Sequence, residues 1–231
     1  MYALLGTFVN TVAVIIGGSI GLLLKKGLPE RIADTIMKGI GLCVLYIGID
    51  GCLEGNNALI TILSAAIGAL IGELLDLDGK INRLGGWLER KTSKTAIDEK
   101  NTIAKGFVSA SLLFCVGAMT IVGSLNSGLS GDHQMLYTKS LLDFIAAIIF
   151  ASSLGFGVLF SALFVLVYQG SITLLAGFVA PFLTDVVIAE MTCIGSVLIM
   201  GIGLNMLGIT KLKMMNYVPA IFLPILLCTF M

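Results

Sequence analysis

The sequence predicts an all-α, polytopic transmembrane bundle of about eight spans, and three observations carry that prediction. Of its 231 residues 57% are hydrophobic and only 12% charged, and mean hydropathy is +1.03, well above what a water-facing surface carries. The apolar residues fall into runs of about 20, the length a helix needs to cross the hydrocarbon core. Lys and Arg gather between alternate runs, as expected if they stay on the cytoplasmic side. A single transmembrane domain over 1–231 accounts for the chain, with no stretch left for a globular domain of useful size.

The first apolar run, 3–24, lacks a preceding basic region and an A-x-A-like cleavage pattern, which predicts a retained span. Runs at 35–53 and 58–75 give spans two and three. Asp76 to Lys105 is the only sizeable polar stretch. Its Leu77, Ile81, Leu84, Trp87 and Leu88 recur at helical spacing beside charges, predicting a cytoplasmic loop 76–105 that holds an interfacial amphipathic helix. The polar tail from Lys91 to Asn101 reads as a loop. Span four is 106–126. Spans five (140–156) and six (158–179) are cut at Gly155-Phe156-Gly157, because the stretch from Ser140 to Phe182 is too long for one crossing. Without that cut the count is seven. Span seven is 186–208, and span eight, 214–231, contains Pro219 and Pro224, which kink it or make it re-entrant.

Orientation supports eight spans. Lys25, Lys26, Arg31 and Lys38 follow span one; Lys80, Arg83, Arg90, Lys91, Lys94, Lys100 and Lys105 follow span three; Lys211 and Lys213 precede span eight. Only with eight spans do all three clusters share one face, which puts both termini outside and leaves Lys139 on the outer side.

The chain also echoes itself. Gly18-Ser19-Ile20 with Leu22-Leu23 recurs as Gly170-Ser171-Ile172 with Leu174-Leu175, and Pro29 recurs at the same offset as Pro181. Ile32-Ala33-Asp34 matches Ile188-Ala189-Glu190, and Ile47-Gly48-Ile49-Asp50 matches Ile202-Gly203-Leu204-Asn205. Span one runs inward and span six outward, so spans 1–3 and 6–8 form an expected inverted repeat, with spans four and five between them. Chance matching among abundant Gly, Leu and Ile is the alternative.

Polar groups inside apolar runs mark a substrate or ion path, because lipid penalises each of them. Thr7, Asn10 and Thr11 share one face of span one at i, i+3 and i+4, a strip able to coordinate Na⁺ or bind a polar solute, or else to hydrogen-bond between helices. Span four reads Gly117-Ala118-Met119-Thr120-Ile121-Val122-Gly123-Ser124-Leu125-Asn126-Ser127-Gly128, rich enough in Gly and Ser to unwind beside a cavity, or else to pack closely. Gln169 lies deep in span six and Asn205 holds the repeat position of Asp50. Asp50, Asp143 and Glu190 are candidates for a coupling carboxylate, the alternative being solvation at the headgroup level. Glu73 beside Gly68-x-x-x-Gly72 shares that ambiguity at the end of span three.

Other classes are excluded or unsupported. Formal net charge is zero, with no basic arm to attract nucleic acid. Cys43, Cys52, Cys115, Cys193 and Cys228 form no C-x-x-C pair, so no metal site is expected. His133 is the one histidine, and no H-E-x-x-H, G-x-S-x-G, Walker A or dinucleotide fingerprint is present, so neither enzyme activity nor a cofactor is expected.

Gly6-Thr7-Phe8-Val9-Asn10, the Lys25 to Glu30 turn, Gly68-x-x-x-Gly72-Glu73 and the Gly117 to Gly128 run together carry a family pattern. Over essentially its full length the chain resembles the YdfK/YqgA-like bacterial membrane proteins, a domain of unknown function. The resemblance implies a bacterial plasma (inner) membrane protein and brings no substrate or site residues. The residues themselves point to a secondary transporter for a small polar solute or ion, with an ion channel and a non-transporting scaffold or regulator as alternatives. The expected partners are the lipid bilayer, that solute, and a second copy in a twofold homo-oligomer.

Overall fold

In lipid the backbone has no hydrogen-bond partner but itself, so each span must close its own ladder as a helix. The computed structural model describes residues 2–25, 30–83, 102–116 and 118–230, and among these there is no strand. A short 3-10 turn leads into α1 (Leu5–Lys25), followed by α2 (Glu30–Cys52) and α3 (Ala58–Leu74), then α4 (Leu77–Arg83). Next come α5 (Thr102–Cys115), α6 (Ala118–Leu129), α7 (Gln134–Leu154), α8 (Gly157–Leu174), α9 (Ala176–Val179) and α10 (Asp185–Met206). The last apolar run is a 3-10 segment, Met214–Phe222, followed by α11 (Pro224–Phe230).

Five helices, α1, α2, α7, α8 and α10, are long and apolar enough to cross a membrane. There are seven crossings if α3 with α4, bent by 51°, and α5 with α6, bent by 61°, each count as one. The eighth expected span is the proline-broken final run. Its Pro219 lies inside the 3-10 segment, where the missing N–H and the ring prevent a regular α-helix. Span four also differs from a simple crossing. The helix breaks between Cys115 and Ala118, whereas Gly123 to Gly128, the part richest in Gly and Ser, stays helical. Span five begins earlier than hydropathy suggests, at Gln134, because Lys139 and Asp143 neutralise one another within it. Gly155 (φ 77°) supplies the turn between α7 and α8, a left-handed conformation that glycine adopts without Cβ strain. Of the expected interfacial helix only Leu77–Arg83 is described; Leu84, Trp87, Leu88 and the Lys91 to Asn101 tail lie outside the described residues.

Small residues set which helices touch, since van der Waals contact holds helices together where lipid supplies no hydrophobic drive. A Cβ added at Gly17 or Gly21 of α1 would overlap the carbonyl oxygens of Phe144 or Ile148 on α7. On α2, Gly48 lies against Met200 and Gly51 against Ser196 of α10. Gly68 and Gly72 of α3 receive the backbone of Ala220 and Asn216 in the 3-10 segment, and Gly157 of α8 receives the Ile103 carbonyl of α5. The most apolar stretch of α10 is 78% buried, against 22–44% in the other four long helices, so α10 is the central one. Leu42, Ile62, Leu141, Leu163 and Val167 turn outward and are exposed, an apolar belt suited to lipid.

Candidate functional site

A buried hydroxyl, amide or charge without a partner costs about 2–7 kcal/mol in an apolar medium, so such groups mark where the bundle departs from plain packing. One concentration lies in the wedge between α1, α6, α7 and α8. Lys139 and Asp143 stand one turn apart on α7, and Lys139 Nζ donates to Asp143 Oδ1 at 2.8 Å and Oδ2 at 2.7 Å. Both residues are at least 94% buried. Asn10 of α1 donates its Nδ2 to Asp143 Oδ2 at 2.9 Å.

Neighbouring contacts fix the levels around this pair. Ser127 of α6 donates to the Ala3 carbonyl at 2.6 Å and meets His133 Nδ1 at 2.8 Å. Gly128 abuts the Thr173 carbonyl of α8, and a Cβ at Gly170 would stand 4.0 Å from Thr7 Cγ2. Thr7, Ser124 and Gln169 therefore share one level, with Asn10 and the ion pair about a turn deeper. Thr7 Oγ1, Asn10 Oδ1, Ser124 Oγ, both amide atoms of Gln169 and Thr173 Oγ1 have no hydrogen-bond partner among the described residues. Thr11 instead returns its hydroxyl to the Thr7 carbonyl at 2.8 Å. At the α5–α6 break, Thr120 Oγ1 donates to the Phe114 carbonyl at 3.2 Å, and Cys115 lies within electrostatic reach of Lys139 and Asp143.

A second locus follows the seam between α5 and α10. A cavity of about 410 Å³ is walled by Leu113 and Val116 on one side, Thr192, Ser196 and Ile199 on the other, and carries Asp50 and Glu54 of α2 and its following turn. Another of about 460 Å³ lies along the same two helices, lined by Ser109, Ile202 and Asn205, with Lys105, Lys211 and Lys213 around it. From Ser109 to Leu113 is one turn of α5, and from Ile199 to Ile202 less than one turn of α10, about 5–6 Å of rise. The cavities approach each other along one seam, parted by Leu112, Leu113, Ile199 and Ile202, of which all but Leu113 are more than nine-tenths buried.

The remaining candidates lie away from the ion pair. Glu190 is fully buried, and its Oε1 accepts from the backbone N–H groups of Asn56 at 2.7 Å and Asn57 at 2.8 Å. It thereby anchors the amide-rich start of α3, where a negative charge is stabilised. Asn205 accepts from Leu212 N at 2.9 Å and Thr210 Oγ1 at 2.7 Å and donates to the Leu212 carbonyl at 2.8 Å, tying the loop beside the 460 Å³ cavity. Asn126 is half-buried toward the far end of α6 and Asp50 is exposed. Gly123 packs on Leu136, and Gly117 lies outside the described residues. Glu73 binds Lys213 at 3.0 Å and also accepts from Asn216, which in turn accepts from Asp78 N at 2.7 Å. The hydrogen bond that Lys213 donates to Glu73 holds its ammonium above its ordinary pKa.

The structure thus joins Asn10 to Asp143, buries Thr7, Ser124 and Gln169 on helices α1, α6 and α8 of the same part of the bundle, and places Asn205 and Asp50 on a different seam. Sequence reasoning missed Lys139 as a site residue, although Lys and Asp at i, i+4 inside an apolar run is a readable signal. It also missed Thr192, Ser196 and Ser109, single hydroxyls with nothing local to set them apart.

A helical bundle with a lipid-suited belt and a hydrophobic core that also holds buried polar groups defines a polytopic α-helical membrane protein. The particular family follows from comparison: the chain belongs to the family described as protein of unknown function (DUF554), whose model matches residues 5–229. It is similar to the uncharacterized membrane protein YdfK of Bacillus subtilis (strain 168), 35% identical over 223 residues, covering 95% of this chain and 93% of that one. The uncharacterized protein YqgA of Escherichia coli (strain K12) is 33% identical over 222 residues, covering 95% and 94%. No solved structure matches.

Proposed function

We propose that the chain is a secondary transporter of a bacterial plasma membrane, moving a small polar solute or ion by alternating access along the α5–α10 seam. The observation that carries this reading is the pair of cavities approaching one another there, parted by a single apolar turn. A short occlusion is what a rocking motion of about one turn would transfer from one side to the other. Thr192 and Ser196 would receive the solute on one side, Ser109 and Asn205 on the other. Asp50 stands at the outer mouth as the coupling candidate on the route itself.

Two further features agree with it. Counting eight spans and placing the basic clusters inside puts both termini outside and the 76–105 loop in the cytoplasm. The acidic cavity with Asp50 and Glu54 then faces outward, and the cavity ringed by Lys105, Lys211 and Lys213 faces the cytoplasm. The proposed inverted repeat pairs spans one with six, two with seven and three with eight. Direct packing of α1 on α8, α2 on α10 and α3 on the Met214–Phe222 segment is what a pseudo-twofold axis through the molecule would produce. The four apolar side chains between the cavities weigh against an open pore.

The test is charge movement in proteoliposomes on rapid addition of amino acids, carboxylates, sugars and inorganic ions, with and without Na⁺ or a pH step. A saturable current lost in Asp50→Asn supports coupled transport with that residue as its carboxylate. Current that rises without saturation supports a channel, and silence across the panel from folded protein supports a scaffold.

A further inference from the structure

We propose that Cys52 and Cys193 are a disulfide-forming modification site, a covalent clamp between α2 and α10 on the wall of the cavity of about 410 Å³. The two residues stand 141 positions apart, and each sulfur reaches across to the other's backbone. Cys193 Sγ lies 3.3 Å from the Cys52 carbonyl oxygen, and Cys52 Sγ lies 3.9 Å from the Cys193 carbonyl oxygen. Reach in both directions turns the two Cα–Cβ bonds toward each other, which is the arrangement a disulfide requires. The thiols also share a side-chain hydrogen bond.

Glycine makes this approach possible. Gly48, Gly51 and Gly55 bracket Cys52, and a Cβ on any of them would overlap α10: Met200 at Gly48, Ser196 Oγ at Gly51, and Cys193 Sγ and Cβ at Gly55. The end of α2 and the turn beyond it therefore settle directly on the α10 backbone. Neighbours then confine both sulfurs. Thr61 Oγ1 of α3 is 3.4 Å from Cys193 Sγ, and Met200 Sδ is 3.7 Å from Cys52 Sγ. Among the described residues no third His, Cys, Asp or Glu completes a metal site here, and a soft monovalent cation on two thiolates would leave a net charge at the membrane. A disulfide is neutral.

Exposure sets the order of steps, since Cys52 is half-buried and Cys193 buried. Cys52 attacks one sulfur of an external disulfide, forming a mixed disulfide and releasing one thiol. Cys193 then attacks Cys52 Sγ, and the second external sulfur leaves as a thiol. Two electrons and two protons pass from the pair to the reagent, so the co-reactant is a disulfide, of low molecular weight or on an oxidising protein. Cys52 lies between Asp50 and Glu54, and in the orientation proposed above it opens outward, where thiol pairs stay oxidised. The outward placement rests on that orientation; the pairing does not. Asp50, Gly51 and Glu54 around Cys52, and Thr192 and Ser196 around Cys193, line the same cavity. Once joined, α2 and α10 move as one body, and the acidic wall of the cavity stays with α10.

The test uses the full chain in detergent, purified under reductant, freed of it, and treated with oxidised glutathione while folded. Two of the five thiols should then be lost to alkylation, and peptide mapping by mass spectrometry should find Cys52 joined to Cys193. Tm should rise by about 5–10 °C, and dithiothreitol should reverse the rise. Cys193→Ser should stop at the first step, with one glutathione retained on Cys52, whereas Cys52→Ser should take none at Cys193. If either variant fails to fold, the wild-type peptide map still decides the question. Five free thiols after treatment, a link that uses Cys43, Cys115 or Cys228 instead, or a glutathione left on Cys52 of the wild type would each overturn the proposal. In right-side-out vesicles an impermeant phosphine reductant should open the bond. A bond that resists it and yields to dithiothreitol overturns the outward orientation and leaves the pairing standing.

Discussion

The α1–α7 seam and the α5–α10 seam end in opposite states. On α1, Gly17 and Gly21 let the carbonyls of Phe144 and Ile148 approach until no space remains. Along α5–α10, the break after Cys115 and the hydroxyls of Thr192, Ser196 and Ser109 keep two cavities open. Glycine at helical spacing closes a membrane interface because it admits backbone to backbone. A helix break and isolated polar side chains prevent the same closure, because groups that need hydrogen bonds cannot be buried against carbon. The sealed seam is therefore the frame, and the unsealed one the part able to rearrange.

The sharpest way to break this contrast is at the frame. Gly21→Leu should abolish folded, monodisperse protein, as read by size-exclusion chromatography, because the side chain has nowhere to go but into the Ile148 carbonyl. Gly39→Leu, at an exposed position of α2 with no atom within 4 Å, should leave the elution profile unchanged. A loss in both would show that glycine content, rather than the α1–α7 approach, sustains the fold.

Next in size is the ion pair that α7 contributes. Lys139→Met alone should cost about 3–5 kcal/mol in thermal or denaturant unfolding, since Asp143 is left buried without its partner. The variant with Asp143→Leu added should recover most of that loss, as replacing both partners by apolar groups is close to neutral. Equal destabilisation in both variants would mean that shape, and not charge, is at stake.

Asn216 offers a middle-sized effect at a packed glycine contact outside both seams. Asn216→Ala removes its bonds to Asp78 N and Glu73 and should cost about 1–3 kcal/mol of stability. On the open seam, a cysteine at the half-buried Leu113 in a background lacking native cysteines should react with an impermeant maleimide from one side of the membrane, and one at the half-buried Asn205 from the other. Both should keep unfolding temperatures within a few degrees of the parent. The smallest effect belongs to the exposed Asp34–Lys38 pair, where Asp34→Ala should change stability by less than about 0.5 kcal/mol.

Much of this arrangement is legible in the chain. Gly68-x-x-x-Gly72 reads as a packing motif and is one, yet its partner, a 3-10 segment that contains Pro219, lies far along the chain and has no counterpart in the motif. Thr7 and Asn10 read as an interior polar strip and line the wedge. Asn205 matches Asp50 as a repeat position, but the two sit in separate cavities, because helices α2 and α10 pack side by side. Glu190 looks like a free carboxylate near a helix end. Only the fold sets it beneath the amides of Asn56 and Asn57.

By itself, the sequence determines that this is an all-α membrane protein, where its five long helices lie to within about six residues and which stretches are polar, because lipid acts on each span separately through local hydropathy and backbone satisfaction. Tertiary structure alone decides that the Lys139–Asp143 pair meets Asn10 through Asp143, that hydroxyl and amide groups of α1, α6 and α8 are buried without partners among the described residues, and that two cavities share one seam. Those facts depend on which helices touch, and contact between helices in lipid is set by shape over long sequence separations that no local pattern records.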